Sequence, residues 1–388
     1  MTIYFVAGEV SADNHGAALM RSLLKLDGEL NFVGRGGPQM QEVASDSAAG
    51  RIRGGGQFKN WIGEAAVLGL WEVLGKYRYF REQFQETLRE IRESKPDAVV
   101  LIDYPGFNLR LARALGRQAR QQKIIYYISP QVWAWNRGRI KRMAHDIDLV
   151  LCIFPFEVDL YNQAGLRGLF VGHPMIERLW ARKIDTERDR NLIGIFPGSR
   201  SREVRKIFPV MLETACQLRK HNPNLRFEVA ATSEQLARQM KPAIAALDQS
   251  QNREEILIKI DETAAIMQRA WAGIIASGSA TLEAAFFRLP FVLIYKVAWP
   301  TYVAARLVVN VKYLGMPNLL ADKEVVPEFI QYRAKPNAIV KALQPLIENG
   351  NVRERMISEF DAMVPQLGDI GASEKAARAI IEETKSAT

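Results

Sequence analysis

Residues 273–290 read GIIASGSATLEAAFFRLP, in which the apolar run Gly273–Ala276 stops at a turn of small residues and a helical pattern follows. This order predicts a strand that turns directly into a helix. The N-terminus of a helix offers unpaired backbone N–H groups, and glycine lets an anion approach them closely. The turn is therefore a candidate diphosphate site formed by Ser277, Gly278, Ser279 and Thr281, with Glu283 placed to accept hydrogen bonds from a ribose diol. The alternative is an ordinary capping turn with an acid in the first helical turn.

A second turn of the same kind opens the second half of the chain, in LIGIFPGSRSREV at residues 192–204. An apolar strand ends at Gly198-Ser199, and Arg200 stands at the start of the next helical pattern. Arginine offers planar, bidentate contacts to phosphate oxygens. Two such turns in one half of the chain predict a nucleoside-diphosphate site there.

Strand-like and helical patterns alternate along the whole chain, which is typical of parallel α/β architecture. At 388 residues the chain is too long for one typical core. We therefore predict two Rossmann-like, doubly wound units facing across a cleft, with ligands beyond the carboxyl ends of the strands. The expected domains are 1–180, 181–345 and a set of C-terminal helices, 346–388, that pack back on the first domain. The Gly- and Ser-rich stretch 44–60 is predicted to be a mobile surface loop.

The composition describes an ordinary globular protein, with 48% hydrophobic and 24% charged residues. No apolar run approaches the roughly 20 residues that span a bilayer, and the N-terminus shows no signal peptide. Cys152 and Cys216 are far apart and are predicted to be core residues in a reducing cytoplasm, and the four histidines show no metal-ligand spacing. The net charge of +9 favours an anionic partner: nucleic acid, a membrane surface or a phosphorylated substrate. Nucleic acid is the least supported of the three, because the sequence contains no nucleic-acid-binding motif.

The first half carries a different kind of turn after its strands. VAGEVSADNHG at residues 6–16 lacks the G-x-G-x-x-G fingerprint of nicotinamide and flavin sites. It follows the first strand, and we expect Glu9, Ser11 and Asp13 to present polar groups toward the cleft. In VVLIDYPGFN at residues 99–108, Asp103 directly follows an apolar strand. A carboxylate at that end of a strand is placed to act as a general base. The alternative is an aspartate that only orders its own turn.

Two further motifs leave alternatives open. In YYISPQVWAWNRGRIKR at residues 126–142, two tryptophans precede the basic residues Arg137, Arg139, Lys141 and Arg142. Such a segment lines a pocket for a sugar or acyl chain with a phosphate group, or it is a core edge followed by a solvated helix face. Asp146 and Asp148 form an Asp-x-Asp pair at the amino end of a strand, and we interpret them as structural because sites in this architecture lie at the other end.

Seven motifs together resemble the lipid A disaccharide synthase family: GEVSAD, LIDYPGFN, SPQVWAW, VGHP, PGSRSREV, ASGSATLE and MPNLLA. They occur in the family's order from Ile3 to about Ile380. The resemblance implies a GT-B glycosyltransferase that transfers 2,3-diacylglucosamine from its UDP conjugate to 2,3-diacylglucosamine 1-phosphate. The product is the β-1,6 disaccharide of lipid A, formed with inversion and release of UDP, without a metal or other cofactor.

The resemblance also implies roles for residues. Asp103 is the expected base with Glu9 near it, and Asn318 is expected to line the cleft. The expected UDP-sugar contacts are Arg200, Ser277, Gly278, Ser279, Thr281 and Glu283. Ala12 stands where the family usually has glycine, and the segment 47–60 differs from the family's usual one.

Because both implied substrates carry acyl chains, we expect contact with the cytoplasmic face of the inner membrane. In the segment 62–81 a helical projection places Val67, Leu70, Trp71, Leu74 and Tyr77 on one stripe, with Leu68 beside it and basic residues after it. This is the pattern of a helix lying in the membrane plane, and Arg137 is assigned to the same acceptor and membrane surface. The alternative for the segment is a core helix. A homodimer is possible.

Two other functions compete with this interpretation. One is an enzyme like UDP-N-acetylglucosamine 2-epimerase, which shares the two-domain design and the UDP site but needs no apolar surface on its first half. The other is a non-catalytic, nucleotide-binding adaptor at the membrane surface, in which Asp103 would be dispensable.

Overall fold

A computed structural model of the protein describes residues 1–46, 58–62, 77–116, 122–132, 138–247, 256–297, 299, 302 and 312–385. The chain forms two compact units. The first is Met1–Glu177 together with Leu367–Thr388, and the second is Arg178–Gln366.

The first unit is built on a parallel sheet with the strand order β3-β2-β1-β4-β5-β6-β7. Its strands are β1 (Thr2–Ala7), β2 (Asn31–Gly36), β3 (Phe58–Asn60), β4 (Ala98–Ile102), β5 (Lys123–Tyr127), β6 (Leu149–Cys152) and β7 (Arg167–Phe170). Its helices are α1 (Val10–Leu26), α2 (Pro38–Asp46), α3 (Tyr77–Ser94), α4 (Pro105–Gly116), α5 (Gly138–Asp146), α6 (Pro155–Asn162) and α7 (Met175–Ala181), of which α7 crosses into the second unit.

The second unit is built on a parallel sheet with the order β10-β9-β8-β11-β12-β13. Its strands are β8 (Asp189–Phe196), β9 (Arg226–Ala231), β10 (Ile256–Ile260), β11 (Ala270–Ala276), β12 (Phe291–Tyr295) and β13 (Glu328–Ile330). Its helices are α8 (Ser201–His221), α9 (Glu234–Ala245), α10 (Thr263–Arg269), α11 (Ala280–Phe286), α12 (Met316–Ala321), α13 (Pro336–Glu348) and α14 (Gly350–Met363). The last helix of the chain, α15 (Ala372–Lys385), belongs to the first unit. The prediction of two doubly wound α/β units is confirmed.

Both faces of the first sheet are covered, as parallel sheets require. Along β1, Ile3, Phe5 and Ala7 enter one hydrophobic cluster, whereas Tyr4 and Val6 enter the cluster on the opposite face. This follows from the two-residue period of a strand. Cys152 and Cys216 are both buried free thiols, which confirms their prediction as core residues.

The C-terminal helices divide between the two units, which corrects the expectation that residues 346–388 all return to the first domain. The boundary lies after Glu177, and α14 stays in the second unit because the ring of Phe360 stacks on Phe291 of β12 at 5.9 Å. Only the segment from Leu367 onward joins the first unit, where α15 packs on α1. The Glu383 carboxylate of α15 also pairs with Lys123 at 2.9 Å and with Arg167 at 2.6 Å.

The predicted surface loop 44–60 is partly wrong. Residues 44–46 end α2, and residues 58–60 form β3, which pairs with β2 in the register Gly34↔Phe58. The buried side chain of Phe58 explains this pairing, because it joins the hydrophobic cluster on one face of the sheet. Residues 47–57 lie outside the described part of the chain.

Candidate functional site

Asp103 and Glu9 follow the two strands at which the order of the first sheet reverses. β1 and β4 are neighbours, in the register Ala7↔Ile102, while β2 and β3 continue to one side and β5 to the other. In open α/β sheets, ligands bind beyond the carboxyl ends of the strands at this reversal point. The structure therefore brings both predicted catalytic residues to the position where the fold provides a site.

The backbone that carries Asp103 is held in an uncommon conformation. Asp103 and Tyr104 have φ angles of 47° and 50°, a left-handed region that non-glycine residues seldom adopt. Asn108 is fully buried and its amide donates hydrogen bonds to the carbonyl oxygens of Asp103 at 2.8 Å and Ile102 at 3.2 Å. The hydroxyl of Tyr126 donates to the Asp103 carbonyl at 2.5 Å. Strain of this kind persists where surrounding contacts impose it, and it is common at functional sites.

Gly8, in the turn after β1, packs closely against Tyr104, in the turn after β4. A Cβ atom added at Gly8 would lie 2.4 Å from Cδ1 of Tyr104, so any larger residue would displace the ring that follows Asp103. The indole Nε1 of Trp61 donates to the carbonyl oxygen of Ala7 at 2.6 Å, and the ring of Trp61 meets that of Tyr104 edge to face. Sequence reasoning missed Trp61, Asn108 and Tyr126. Asn108 and Tyr126 lie in quoted stretches, Asn108 in the one that contains Asp103 and Tyr126 in the one at 126–142, whereas Trp61 gave no signal.

The Asp103 carboxyl has a raised pKa. Burial raises its pKa to about 6, the negative charge of Glu9 adds to the increase, and a hydrogen bond from the backbone N–H of Tyr104 opposes it. Glu9 itself is exposed at the N-cap position of α1. A general base is most effective when its pKa lies near the operating pH, and a carboxylate with a pKa near 6 is still mainly ionised at pH 7.

Asp13 was expected to present a polar group toward the cleft, and the structure gives its carboxylate other partners. Its carboxylate accepts hydrogen bonds from the backbone N–H groups of Gly37 at 2.9 Å, Met40 at 3.0 Å and Gln39 at 3.1 Å. Asp13 therefore caps the start of α2, because those N–H groups have no partner within the helix. Ala12, in the preceding position, is fully buried within α1.

The two predicted phosphate turns follow the two neighbouring strands at which the strand order of the second sheet reverses. β8 and β11 are neighbours, and the turns containing Gly198 and Gly278 leave their carboxyl ends. Gly198 and Gly278 have φ angles of 98° and 155°, and the space at the Cα of Gly278 is open. Ser279 is exposed and Ser277 is half-buried. Backbone N–H groups and hydroxyls at such a turn can hold phosphate oxygens.

Arg200 directly follows the first of these turns, Gly198-Ser199, in the chain. It occupies the N-cap position of α8, and its side chain is 64% exposed with Nη1 at 3.0 Å from Oε1 of Glu203. A surface pair of this type is weak, so the guanidinium can turn to a phosphate at small cost.

Thr281 and Glu283 have partners that change their predicted roles. The hydroxyl of Thr281 is buried and donates to the carbonyl oxygen of Gly278 at 2.7 Å, so it holds the shape of the turn instead of offering a hydroxyl to a ligand. The Glu283 carboxylate pairs with Arg178 at 2.9 Å. A ribose diol bound by Glu283 would share it with Arg178, a residue for which the sequence gave no signal.

Asn318 was expected to line the binding cleft, and the structure gives its side chain internal partners. It is fully buried; its amide donates to the carbonyl of Val326 at 2.8 Å and to Glu328 at 2.9 Å. Its side-chain oxygen accepts from the backbone N–H groups of Val325 at 2.7 Å and Val326 at 2.8 Å. All hydrogen bonds that an asparagine side chain ordinarily makes are thus internal, and Asn318 is a scaffold residue.

The predicted acceptor and membrane residues lie outside the described residues, namely Val67, Leu68, Leu70, Trp71, Leu74 and Arg137. In the described ranges, no helix combines the length and apolar character needed to cross a membrane. Among those same residues no three His, Cys, Asp or Glu side chains are grouped as potential metal ligands. Asp148 accepts a hydrogen bond from the backbone N–H of Ile124 at 2.7 Å, which agrees with its interpretation as structural.

Two sequence comparisons with known proteins each cover nearly the whole chain. A sequence model described as lipid-A-disaccharide synthetase matches residues 3–380. The lipid-A-disaccharide synthase of Geobacter sulfurreducens is 35% identical over 388 residues, covering 98% of this chain and 96% of that protein.

Solved structures agree in fold. The structure of MurG from Acinetobacter baumannii matches with a TM-score of 0.55 at 13% identity, covering 98% of this chain and 99% of that one. The UDP-GlcNAc 2-epimerase of Neisseria meningitidis, bound to UDP-GlcNAc, matches with a TM-score of 0.56 at 12% identity over 100% of both chains. These likenesses show the GT-B fold, and at this identity they show the fold alone.

Proposed function

The chain belongs to the lipid-A-disaccharide synthase family and is a glycosyltransferase that forms the lipid A disaccharide, and we propose how its residues divide that work. The substrates are a nucleotide sugar and a lipid phosphate. We assign them as UDP-2,3-diacylglucosamine and 2,3-diacylglucosamine 1-phosphate. The family membership does not favour an epimerase or a non-catalytic adaptor.

The observation that carries the assignment of the base is the position and pKa of Asp103. Its carboxylate lies at the reversal point of the first sheet with a pKa of about 6, and it removes the proton from the 6-hydroxyl of the acceptor as that oxygen attacks the anomeric carbon. The bond from the anomeric carbon to the UDP oxygen breaks on the opposite face, so the configuration inverts. Incubation with the two substrates and mass analysis of the product test the function: a disaccharide with release of UDP supports it, and an epimerised monosaccharide contradicts it.

Arg200 and the two turns at β8 and β11 are proposed to hold the UDP moiety. We expect Arg200→Ala to weaken UDP binding by about 10- to 150-fold, because a charge-assisted hydrogen bond to phosphate contributes about 1.5–3 kcal/mol. Titration of UDP measures this, and Arg205→Ala, an equal change of charge on an exposed position of α8, is the control. Unchanged affinity in Arg200→Ala would remove Arg200 from the nucleotide site.

The reaction is proposed to proceed without a metal ion. Arg200 and the backbone N–H groups at the start of α8 supply positive charge to the departing diphosphate. Transfer activity is therefore expected to stay within about twofold after treatment with EDTA and gel filtration, in assays at constant ionic strength. Loss of activity that magnesium or manganese restores would contradict this proposal.

Contact with an anionic membrane surface is proposed for the stripe that contains Val67, Leu70, Trp71 and Leu74, with Leu68 beside it. The double variant Leu70→Ser/Trp71→Ser should sediment less with anionic liposomes while its thermal stability stays nearly unchanged. In a core helix the same changes would cost several kcal/mol, roughly 2–5 for each large residue removed. The control is Trp180→Ser/Leu257→Ser, which removes exposed residues of the same types elsewhere. A large drop in Tm with unaltered sedimentation would contradict membrane contact.

A further inference from the structure

A cavity of about 230 Å³ lies between α4 and α5 in the first unit. Its polar lining consists of four arginines and one aspartate: Arg110, Arg113, Arg139, Arg142 and Asp146. Arg110 and Arg113 are three residues apart on α4, and Arg139 and Arg142 are three residues apart on α5, so each pair lies on one face of its helix. Four guanidinium groups therefore share this cavity with one carboxylate.

The positive charge of the cavity is only partly compensated. In the described part of the chain, Arg110, Arg113 and Arg142 form no ion pair, and all three are exposed. Asp146 is buried, and its Oδ1 lies 3.0 Å from Nδ1 of His145. Where guanidinium groups outnumber carboxylates in the lining of one cavity, a bound anion offsets the excess positive charge.

The floor of the cavity is apolar. Leu109, Ala112, Met143 and Ile147 line it, and the last three are buried in the hydrophobic cluster on that face of the sheet. A strongly basic rim over an apolar floor fits an amphiphile that carries a phosphate better than it fits inorganic phosphate, since the floor offers nothing to a fully hydrated ion.

The cavity begins close to the base. Pro105 and Gly106, the first residues of α4, line it and follow Asp103 and Tyr104 directly in the chain. In a hexose 1-phosphate, C1 and C5 both flank the ring oxygen, so the anomeric phosphate and the 6-hydroxyl lie along the same edge of the ring. A site that fixes the phosphate beside the start of α4 therefore keeps the 6-hydroxyl in the neighbourhood of Asp103.

We propose that the arginine-lined cavity between α4 and α5 binds the phosphomonoester of the lipid-phosphate acceptor and thereby selects acceptors that carry it. The inference rests on the proposed function. It assigns a binding role to Arg110, Arg113, Arg139 and Arg142, of which the sequence motifs pointed only to the two on α5.

The test compares an acceptor with its dephosphorylated form. Wild-type protein should prefer the phosphorylated acceptor in kcat/KM. In Arg110→Gln/Arg142→Gln this preference should fall by about 10- to 100-fold, through a higher KM for the phosphorylated acceptor, with the KM for the UDP-sugar donor unchanged. Arg21→Gln/Arg92→Gln, exposed on α1 and α3, is the matched control for the change in net charge and should keep the wild-type preference. Circular dichroism melts check that each variant is folded. If Arg110→Gln/Arg142→Gln is not folded, Arg110→Gln and Arg142→Gln are measured separately.

The outcomes separate the inference from its premise. If the wild-type protein makes no disaccharide, the proposed function fails. If it makes disaccharide and the cavity variant keeps the full preference for the phosphorylated acceptor, only the inference fails. A second experiment measures sedimentation of the wild-type protein and of the cavity variant with phosphatidylglycerol and phosphatidylcholine vesicles, without substrates. If the cavity variant loses binding to the anionic vesicles but keeps the wild-type acceptor preference, the cavity binds lipid head groups and the proposal is overturned.

Discussion

Replacing Asp103 by asparagine should lower the rate of sugar transfer by about 10²–10⁴-fold, the usual contribution of a general base. Asparagine keeps the shape of the side chain but cannot accept the proton of the attacking hydroxyl. The hydrogen bonds from Asn108 and Tyr126 go to the backbone carbonyl of residue 103, so they survive the substitution and should keep the turn in place. Binding of UDP should stay within about twofold, because the nucleotide contacts are proposed for the second unit.

Single-turnover kinetics with saturating donor measure this effect. The control is Asp97→Asn, which removes a carboxylate just before the other end of the same strand, where it accepts a hydrogen bond from the backbone N–H of Thr2 at 2.7 Å. A turnover near the wild-type value in Asp103→Asn would exclude Asp103 as the base.

The pH dependence of wild-type kcat/KM gives an independent test. The base must be ionised to accept a proton, and the pKa of Asp103 is about 6, so kcat/KM should fall about tenfold per pH unit below pH 6. Glu9→Gln removes a negative charge that raises this pKa, and the acid limb should therefore move to lower pH. An acid limb that does not move in Glu9→Gln would mean that another group titrates there.

Replacing Arg35 by methionine should destabilise the first unit by about 3–5 kcal/mol, the usual cost of removing one partner from a buried ion pair. Arg35 is 1% exposed, and its guanidinium donates to Glu90 at 2.7 and 2.9 Å, to Glu86 at 3.0 Å and to Gln83. These contacts tie β2 to α3. Methionine would leave Glu90 with Lys59 and the hydroxyl of Tyr4 as its remaining partners.

Urea unfolding combined with hydrogen exchange of the amides in β2 and α3 is the suitable measurement, because two units need not unfold together. The control is Arg78→Met on α3, the helix that Arg35 contacts; the Arg78 side chain is 93% exposed, and its pair with Glu82 contributes about 0.3–0.5 kcal/mol. Arg35→Met/Glu90→Gln should recover part of the lost stability by removing a buried charge. Equal losses in Arg35→Met and Arg78→Met would contradict a stabilising role for the buried network.

The turns at strand ends are predictable because their signals are local. Glycine followed by serine after an apolar run marks a change from strand to helix, and this pattern alone locates Gly198 and Gly278. Asp103 is located in the same way, by the apolar run that precedes it. Strands β2 and β3 give no such local signal: β2 contains two glycines and Arg35, and β3 has only three residues, so neither shows a continuous apolar run.

What the sequence by itself determined is the architecture and the family. Apolar periods of two and 3.6 residues alternate along the chain, and they require a parallel sheet covered by helices in each half. The same local signals place polar residues after strands, which in this architecture means at the edge where ligands bind.

Only the tertiary structure decided which of those polar side chains remain available to a ligand. Asn318, Thr281 and Asp13 have the residue types of binding groups, yet backbone groups distant in sequence or within their own turn occupy their hydrogen-bonding atoms. The four arginines of the cavity show the opposite case, since two helices bring Arg110 and Arg142 together although 32 positions separate them. Hydrogen bonding and burial depend on contacts between distant segments, and a pattern that is read locally along the chain does not contain them.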